Sequence, residues 1–252
     1  MNYVQMTVFS FCIIFVATIT GSFFAFAVKK KNIEKINLLS MGFSSGVMLA
    51  ASVWSLLLPS IELSETANLP EILPPVSGLL AGALFMTAIG RLKVFENGKP
   101  EAIKPVKLFI AVTVHNVPEG LAVGFSFGAA KLAGNDGAYF SALMFAVGIA
   151  IQNIPEGAAV SLPFLSVMKN KTKAFLFGAL SGLVEPLFAV AGYCLSESLS
   201  FLQPYLLAFS AGAMIFVVFD DLLPEKDEKN KIGAWAIFLG FIIMMALDVC
   251  LG

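Results

Sequence analysis

Two hexapeptides hold the side chains best suited to chemistry: HNVPEG at 115–120 and QNIPEG at 152–157. In each, His115 or Gln152 stands four residues before a glutamate, Glu119 or Glu156, so on a helix the two project from one face. Asn116 and Asn153 stand three residues before the same glutamates and add amide oxygens beside them. Pro118 and Pro155 have no N–H to give the carbonyls of Val114 and Ile151, which frees those oxygens and predicts a kink in each helix. Gly120 and Gly157 let a neighbouring backbone come close. Carboxylates, amides and one imidazole, without a thiolate, suit a hard or borderline divalent cation such as zinc, iron(II), manganese or cadmium better than copper(I).

The elements that must position these residues are membrane helices. Hydrophobic residues make up 58% of the 252 positions and charged residues 13%, against about a quarter charged in an ordinary soluble domain. Apolar runs of roughly 20 residues, the length that crosses a bilayer, recur along the whole chain. The expected fold class is all-α: a polytopic membrane protein with eight transmembrane helices in a single domain over residues 1–252. The spans read as Tyr3 to Val28, Leu38 to Leu58, Pro74 to Ile89, Leu108 to Ala130, Tyr139 to Met168, Ala174 to Ser196, Phe201 to Phe219 and Ile232 to Leu247. The third and last are the shortest.

Basic residues fix the orientation. Loops one, three, five and seven together hold 15 of the 16 lysines and arginines, and only Lys131 falls on the other side. Odd loops are therefore expected in the cytoplasm and both termini outside, in a plasma membrane. The near-neutral charge offers no basic patch, so nucleic acid is not an expected partner. Cys12, Cys194 and Cys250 lack CxxC spacing and read as small apolar packing residues in helices.

Two internal repeats stand out. NVPEGLAV at 116–123 returns as NIPEGAAV at 153–160. FSSGVM at 43–48, leading to LLLP, returns as FSAGAM at 209–214, leading to LLP. Each pair lies on spans of opposite direction, which predicts an inverted repeat with helices 1–3 and 6–8 around a central 4–5 pair and a site near the midplane.

Glu119 lies in the middle of the fourth span, Gln152, Asn153 and Glu156 straddle the middle of the fifth, and Glu185 is central in the sixth. A charge at that depth costs about 2.5 to 3.5 kcal/mol on insertion scales, and no lysine or arginine lies in the apolar part of any span, so a dissolved cation is the expected counter-charge. Blander roles stand beside this one: His115 as a packing residue, the asparagines as interhelical glue, Glu185 as a protonated structural carboxyl.

With these residues in place, the chain resembles the ZIP family of divalent metal transporters, in particular its bacterial GufA-like branch. HNVPEG is similar to the family signature of the fourth helix, QNIPEG to that of the fifth, the EP at 185–186 to the sixth, and FSAGAMIFVVFDDLLPE at 209–225 to the seventh. The resemblance implies a binuclear site, with His115, Glu119, Gln152 and Glu156 around a first metal and Asn116, Glu119, Asn153, Glu156 and Glu185 around a second. It also implies a moving unit of spans one, four, five and six against a dimerising scaffold of spans two, three, seven and eight, hence a homodimer. Gln152 departs from the histidine of many members, which predicts broader metal selectivity. Asp220 and Asp221 are candidate exit residues at the end of span seven; Asp248 near the outer end of span eight, and the acidic second loop with Glu62, Glu65 and Glu71, are candidates to attract ions at the entrance. Loop three, RLKVFENGKPEAIKP, has no histidine run for metal sensing.

The expected function is uptake of divalent metal into the cytosol by alternating access. The metal is cargo, and no resident cofactor is expected. No GxxxxGK[ST] loop is present to use a nucleotide. Two rivals remain at this point: an intramembrane metallohydrolase, for which HExxH is absent, and a proton-coupled carrier of a small organic cation.

Overall fold

A computed structural model of the chain describes residues 2–28, 33–66, 70–91, 100–223 and 231–251. The elements are α1 (Tyr3–Ser22), α2 (Phe24–Ala27), α3 (Ile33–Ala51), a π-helical stretch (Ser52–Leu57), α4 (Leu58–Thr66), α5 (Leu73–Gly90), α6 (Pro100–Ala133), α7 (Asp136–Met168), α8 (Lys171–Ser181), α9 (Val184–Leu199), a short 3₁₀ turn (Ser200–Leu202), α10 (Gln203–Val217), a second π-helical stretch (Val218–Leu222) and α11 (Ile232–Leu251). Among the described residues there are eight helical segments long and apolar enough to cross a membrane, and they match the eight expected from the sequence. Closed helices are required there, because lipid cannot satisfy a backbone N–H or carbonyl.

Local chemistry sets the ends. Asn2 caps α1 in a reciprocal capping box with Gln5, Asn135 accepts from the Ala138 N–H at 2.9 Å to start α7, and Asn170 accepts from the Lys173 N–H at 3.0 Å to start α8. The tight turn from α6 into α7 uses Gly134 at φ +64°, a left-handed conformation that favours glycine.

Two boundaries differ from the sequence reading. The second span does not stop at Leu58: it passes through the π-helical stretch and Pro59 to Glu65. Pro59 follows directly on the π-helical stretch, and the chain stays helical past it. The sixth span is two helices, broken at Gly182 and Leu183, so Glu185 sits in the first turn of α9 rather than in mid-helix. The cysteines also differ from expectation: Cys12, Cys194 and Cys250 are exposed on outward faces instead of packed between helices. Thiols are apolar enough for lipid to receive them.

Helices pair most extensively as α1 with α7, α6 with α9, α3 with α11 and α5 with α10. The outward faces carry Leu80, Leu84, Leu187 and Phe238, all more than half exposed, as a surface against acyl chains requires. Among the described residues, the fully buried carboxyl, amide and imidazole side chains all lie on α6, α7 and α9, while fully buried hydroxyls are spread over most of the helices.

Candidate metal centre

His115, Asn116 and Glu119 come from α6, Gln152, Asn153 and Glu156 from α7, and Glu185 from α9; all seven side chains are completely buried. Two glycines let these helices converge. A Cβ on Gly120 would strike the Glu185 backbone, and one on Gly157 would strike the Thr18 carbonyl on α1, so only glycine allows α6 to reach α9 and α7 to reach α1 at that depth. Both helices run unbroken through Pro118 and Pro155.

The cluster has two connected halves. In one, His115, Glu119 and Glu156 each offer a ligand atom within 4.8 Å of the others. His115 Nε2 lies 3.5 Å from Glu156 Oε2, and Gln152 Nε2 donates to Glu119 Oε1. In the other, Asn116 Nδ2 donates to Glu185 Oε1 at 3.0 Å, Asn153 Nδ2 donates to Glu185 Oε2, and the Thr18 hydroxyl donates to Glu185 Oε1 at 3.3 Å. Asn116 also donates to the Ser181 carbonyl at 3.2 Å and Asn153 to the Ile14 carbonyl at 3.1 Å. Ser181 is the last residue of α8, whose terminal carbonyls have no intrahelical donor, so the break in span six is capped by a site residue. The same break leaves Glu185 at a helix N-terminus, where the peptide dipoles favour a carboxylate.

The side-chain amides of Asn116 and Asn153 thus each make two donations, while the acceptors are in surplus. Asn116 Oδ1, Gln152 Oε1, Asn153 Oδ1, Glu119 Oε2 and both oxygens of Glu156 are buried and lack a hydrogen-bond partner. Native structures leave few such groups unpaired, and each costs about 1 to 3 kcal/mol. Among the described residues no lysine or arginine is buried to balance them. Six bare oxygens beside an imidazole make a pocket with the chemistry of a cation site.

The remaining candidates lie elsewhere. Asp248 is half-buried on α11, accepts from the Ser55 hydroxyl at 2.6 Å, and lines a cavity of about 460 Å³ together with Glu62, Phe140 and Gly148. Gly148 is one helical turn before Gln152 on α7, so this cavity reaches close to the centre from the end remote from the lysine-rich loops. Glu65 and Glu71 are exposed. Asp220 is exposed on the second π-helical stretch, and the Asp221 side chain falls outside the described residues. Sequence reasoning missed Thr18 and the carbonyls of Ile14 and Ser181. A threonine in an apolar helix is common, and main-chain oxygens leave no mark in a sequence.

Eight apolar spans around a buried, acceptor-rich pocket define a polytopic membrane protein built to receive cations. The sequence profile described as ZIP Zinc transporter matches residues 101–248. The zinc transporter ZIP11 of Xenopus tropicalis is 36% identical over 84% of this chain and 88% of its own length. Zinc transporter ZIPB of Bordetella bronchiseptica is 33% identical over 94% of this chain and 79% of its own length, and zinc transporter GufA of Myxococcus xanthus is 32% identical over 84% and 86%. The chain belongs to the ZIP family, a family of transporters rather than enzymes, and is a multi-pass membrane protein.

Proposed function

We propose that this protein carries zinc, and with it other divalent cations such as iron(II), manganese and cadmium, into the cytosol through the centre formed by α6, α7 and α9. The observation that carries the reading is the set of six buried oxygens without donors around His115. Doubly charged ions satisfy amide and carboxylate oxygens alike, where protons would satisfy only the carboxylates. Two ions share the centre: one is held by His115, Glu119, Gln152 and Glu156, the other by Asn116, Asn153, Glu185 and the same two bridging glutamates. Gln152 supplies an amide oxygen in place of an imidazole, which relaxes discrimination between zinc and harder ions.

Zinc arrives through the cavity beside Asp248 and leaves toward the lysine-rich side, which is cytosolic by the charge distribution of the loops. The membrane potential favours a dication by about 4.6 kcal/mol per 100 mV, twice the single-charge value, so no nucleotide is needed. The site-bearing group of α1, α2 and α6–α9 moves against α3–α5, α10 and α11, exposing the centre to each side in turn, and the second group joins two copies into a dimer. The pairing of helices within each group supports this division. An inverted repeat is supported by the π-helical stretches: each begins nine residues after the phenylalanine of its motif, Ser52 after Phe43 and Val218 after Phe209.

Zinc flux into proteoliposomes, measured across a panel of divalent ions, tests the reading. The intact chain should transport zinc, and Glu119→Ala and Glu156→Ala should abolish it. Unchanged flux in both variants overturns the site.

A further inference from the structure

A second cavity, of about 410 Å³, lies on the lipid-facing side of α7 and has almost no polar lining. Its walls include Phe24, Leu39, Phe43, Ile154, Leu162 and Leu239, drawn from α2, α3, α7 and α11. Phe24, Leu39, Ile154 and Leu239 are each more than a third exposed, so the groove opens outward from the bundle. Along α7 it runs from Ile154 to Leu162, eight residues or about 12 Å of helix. That is close to the roughly 15 Å depth of one bilayer leaflet's hydrocarbon.

Lysines stand beyond one end of the groove. Phe24 opens α2, the four-residue helix that follows α1, and two residues on, the Phe26 carbonyl accepts from Lys171 Nζ at 2.7 Å. Lys169, at the C-terminal end of α7, and Lys173, in the first turn of α8, flank Lys171 and are both exposed. The rings of Phe23 and Phe26 pack on Phe175 at 4.7 and 5.5 Å between centroids, which ties this end of α2 to α8. No acidic residue occurs in 23–28 or in 169–173.

We propose that this groove binds one anionic phospholipid of the leaflet on the lysine-rich side, with an acyl chain along α7 and the headgroup at Lys169, Lys171 and Lys173. An acyl chain is the occupant because both walls stand within apolar spans, where lipid is the solvent. The anionic charge follows from three lysines with no acid among them. The groove matters for transport because it bridges α7, where Ile154 and Pro155 adjoin Glu156, and the packed pair α3 and α11. A ligand that fits the groove in one arrangement of these helices favours that arrangement over the others. This consequence rests on the transport reading above, whereas the binding itself does not.

The test is native mass spectrometry of the protein released from nanodiscs of equal phosphatidylglycerol and phosphatidylcholine. One phosphatidylglycerol per chain should be retained, at least fivefold over phosphatidylcholine. The double variant Lys169→Glu/Lys173→Glu, which alters only exposed side chains, should lose that preference. Ser40 also lines the groove, and Ser40→Phe, which fills it, should lose the adduct with the lysines intact. Zinc flux should fall about three- to tenfold in liposomes of phosphatidylcholine alone. Equal retention of both lipids, retention unchanged in the lysine double variant, or disulfide cross-linking of two chains through Ser40→Cys would each overturn the proposal. Retained phosphatidylglycerol with no zinc flux in any lipid would keep the lipid site and remove the transport reading.

Discussion

Asn116 donates its amide to Glu185 Oε1 at 3.0 Å while its own Oδ1 meets no donor. Asn153 does the same from the neighbouring helix, donating to Glu185 Oε2 and leaving its Oδ1 bare. The two hexapeptides thus grip one glutamate by its two oxygens and turn their own carbonyls into the pocket. On the transport reading proposed above, each asparagine does two things at once: it donates to a buried carboxylate and offers an oxygen to the cargo.

Replacing either asparagine separates these roles. Asn116→Leu and Asn153→Leu lose both the donor and the oxygen, leave Glu185 less satisfied at about 1 to 3 kcal/mol, and should weaken zinc binding at least tenfold. Asn116→Asp keeps an oxygen but sets a like charge beside Glu185. Its apo form should therefore melt lower than the parent, with a larger upward shift in melting temperature on adding zinc. Thermal unfolding in detergent, with and without zinc, reads both effects.

Gln152→His exchanges an amide oxygen for an imidazole in the same turn as Glu156. Imidazole suits zinc better than manganese, so the ratio of zinc to manganese transport should rise severalfold. Competition between the two ions in proteoliposomes measures it.

Gly157→Ala puts a methyl against the Thr18 carbonyl, backbone that cannot rotate away. Overpacking of this kind costs roughly 1 to 3 kcal/mol. The variant should melt lower and transport more slowly, because α7 carries Glu156 and Asn153 away from α1 as it gives way. A scan of thermal stability alongside zinc flux checks the pairing of the two losses.

Asp248→Asn removes a charge from the wall of the 460 Å³ cavity but not from the buried centre. Its effect should be on the approach of zinc: KM rises a few fold and the maximal rate holds. Steering of this sort is screened by salt, so the difference from the parent should shrink between low and high ionic strength. Initial rates at several zinc and salt concentrations show whether it does.

Much of this arrangement is legible in the sequence, for physical reasons that differ by element. The eight spans are readable because lipid demands long apolar helices, and the lysine count is readable because charge resists crossing. His115, Asn116, Glu119, Gln152, Asn153, Glu156 and Glu185 are readable because polar residues at membrane depth are expensive enough to need a reason. Other features carry no such signature. Thr18 is neutral and looks like any helix residue, yet it donates to Glu185. The break at Gly182 and Leu183 hides inside a run apolar enough for one helix, and Pro59 suggests a stop where the π-helical stretch before it lets the chain continue. The groove beside α7 is invisible as well, since its lining residues are ordinary lipid-facing types brought together by tertiary contacts alone.

Anomalous X-ray scattering at the zinc edge, from crystals of the parent and of Glu119→Gln/Glu156→Gln grown with zinc, addresses the central claim most directly. The account predicts zinc density bounded by His115, Glu119 and Glu156 in the parent and none there in the double variant. A parent pocket without anomalous density, its carboxyl groups protonated and bonded to one another, would contradict it.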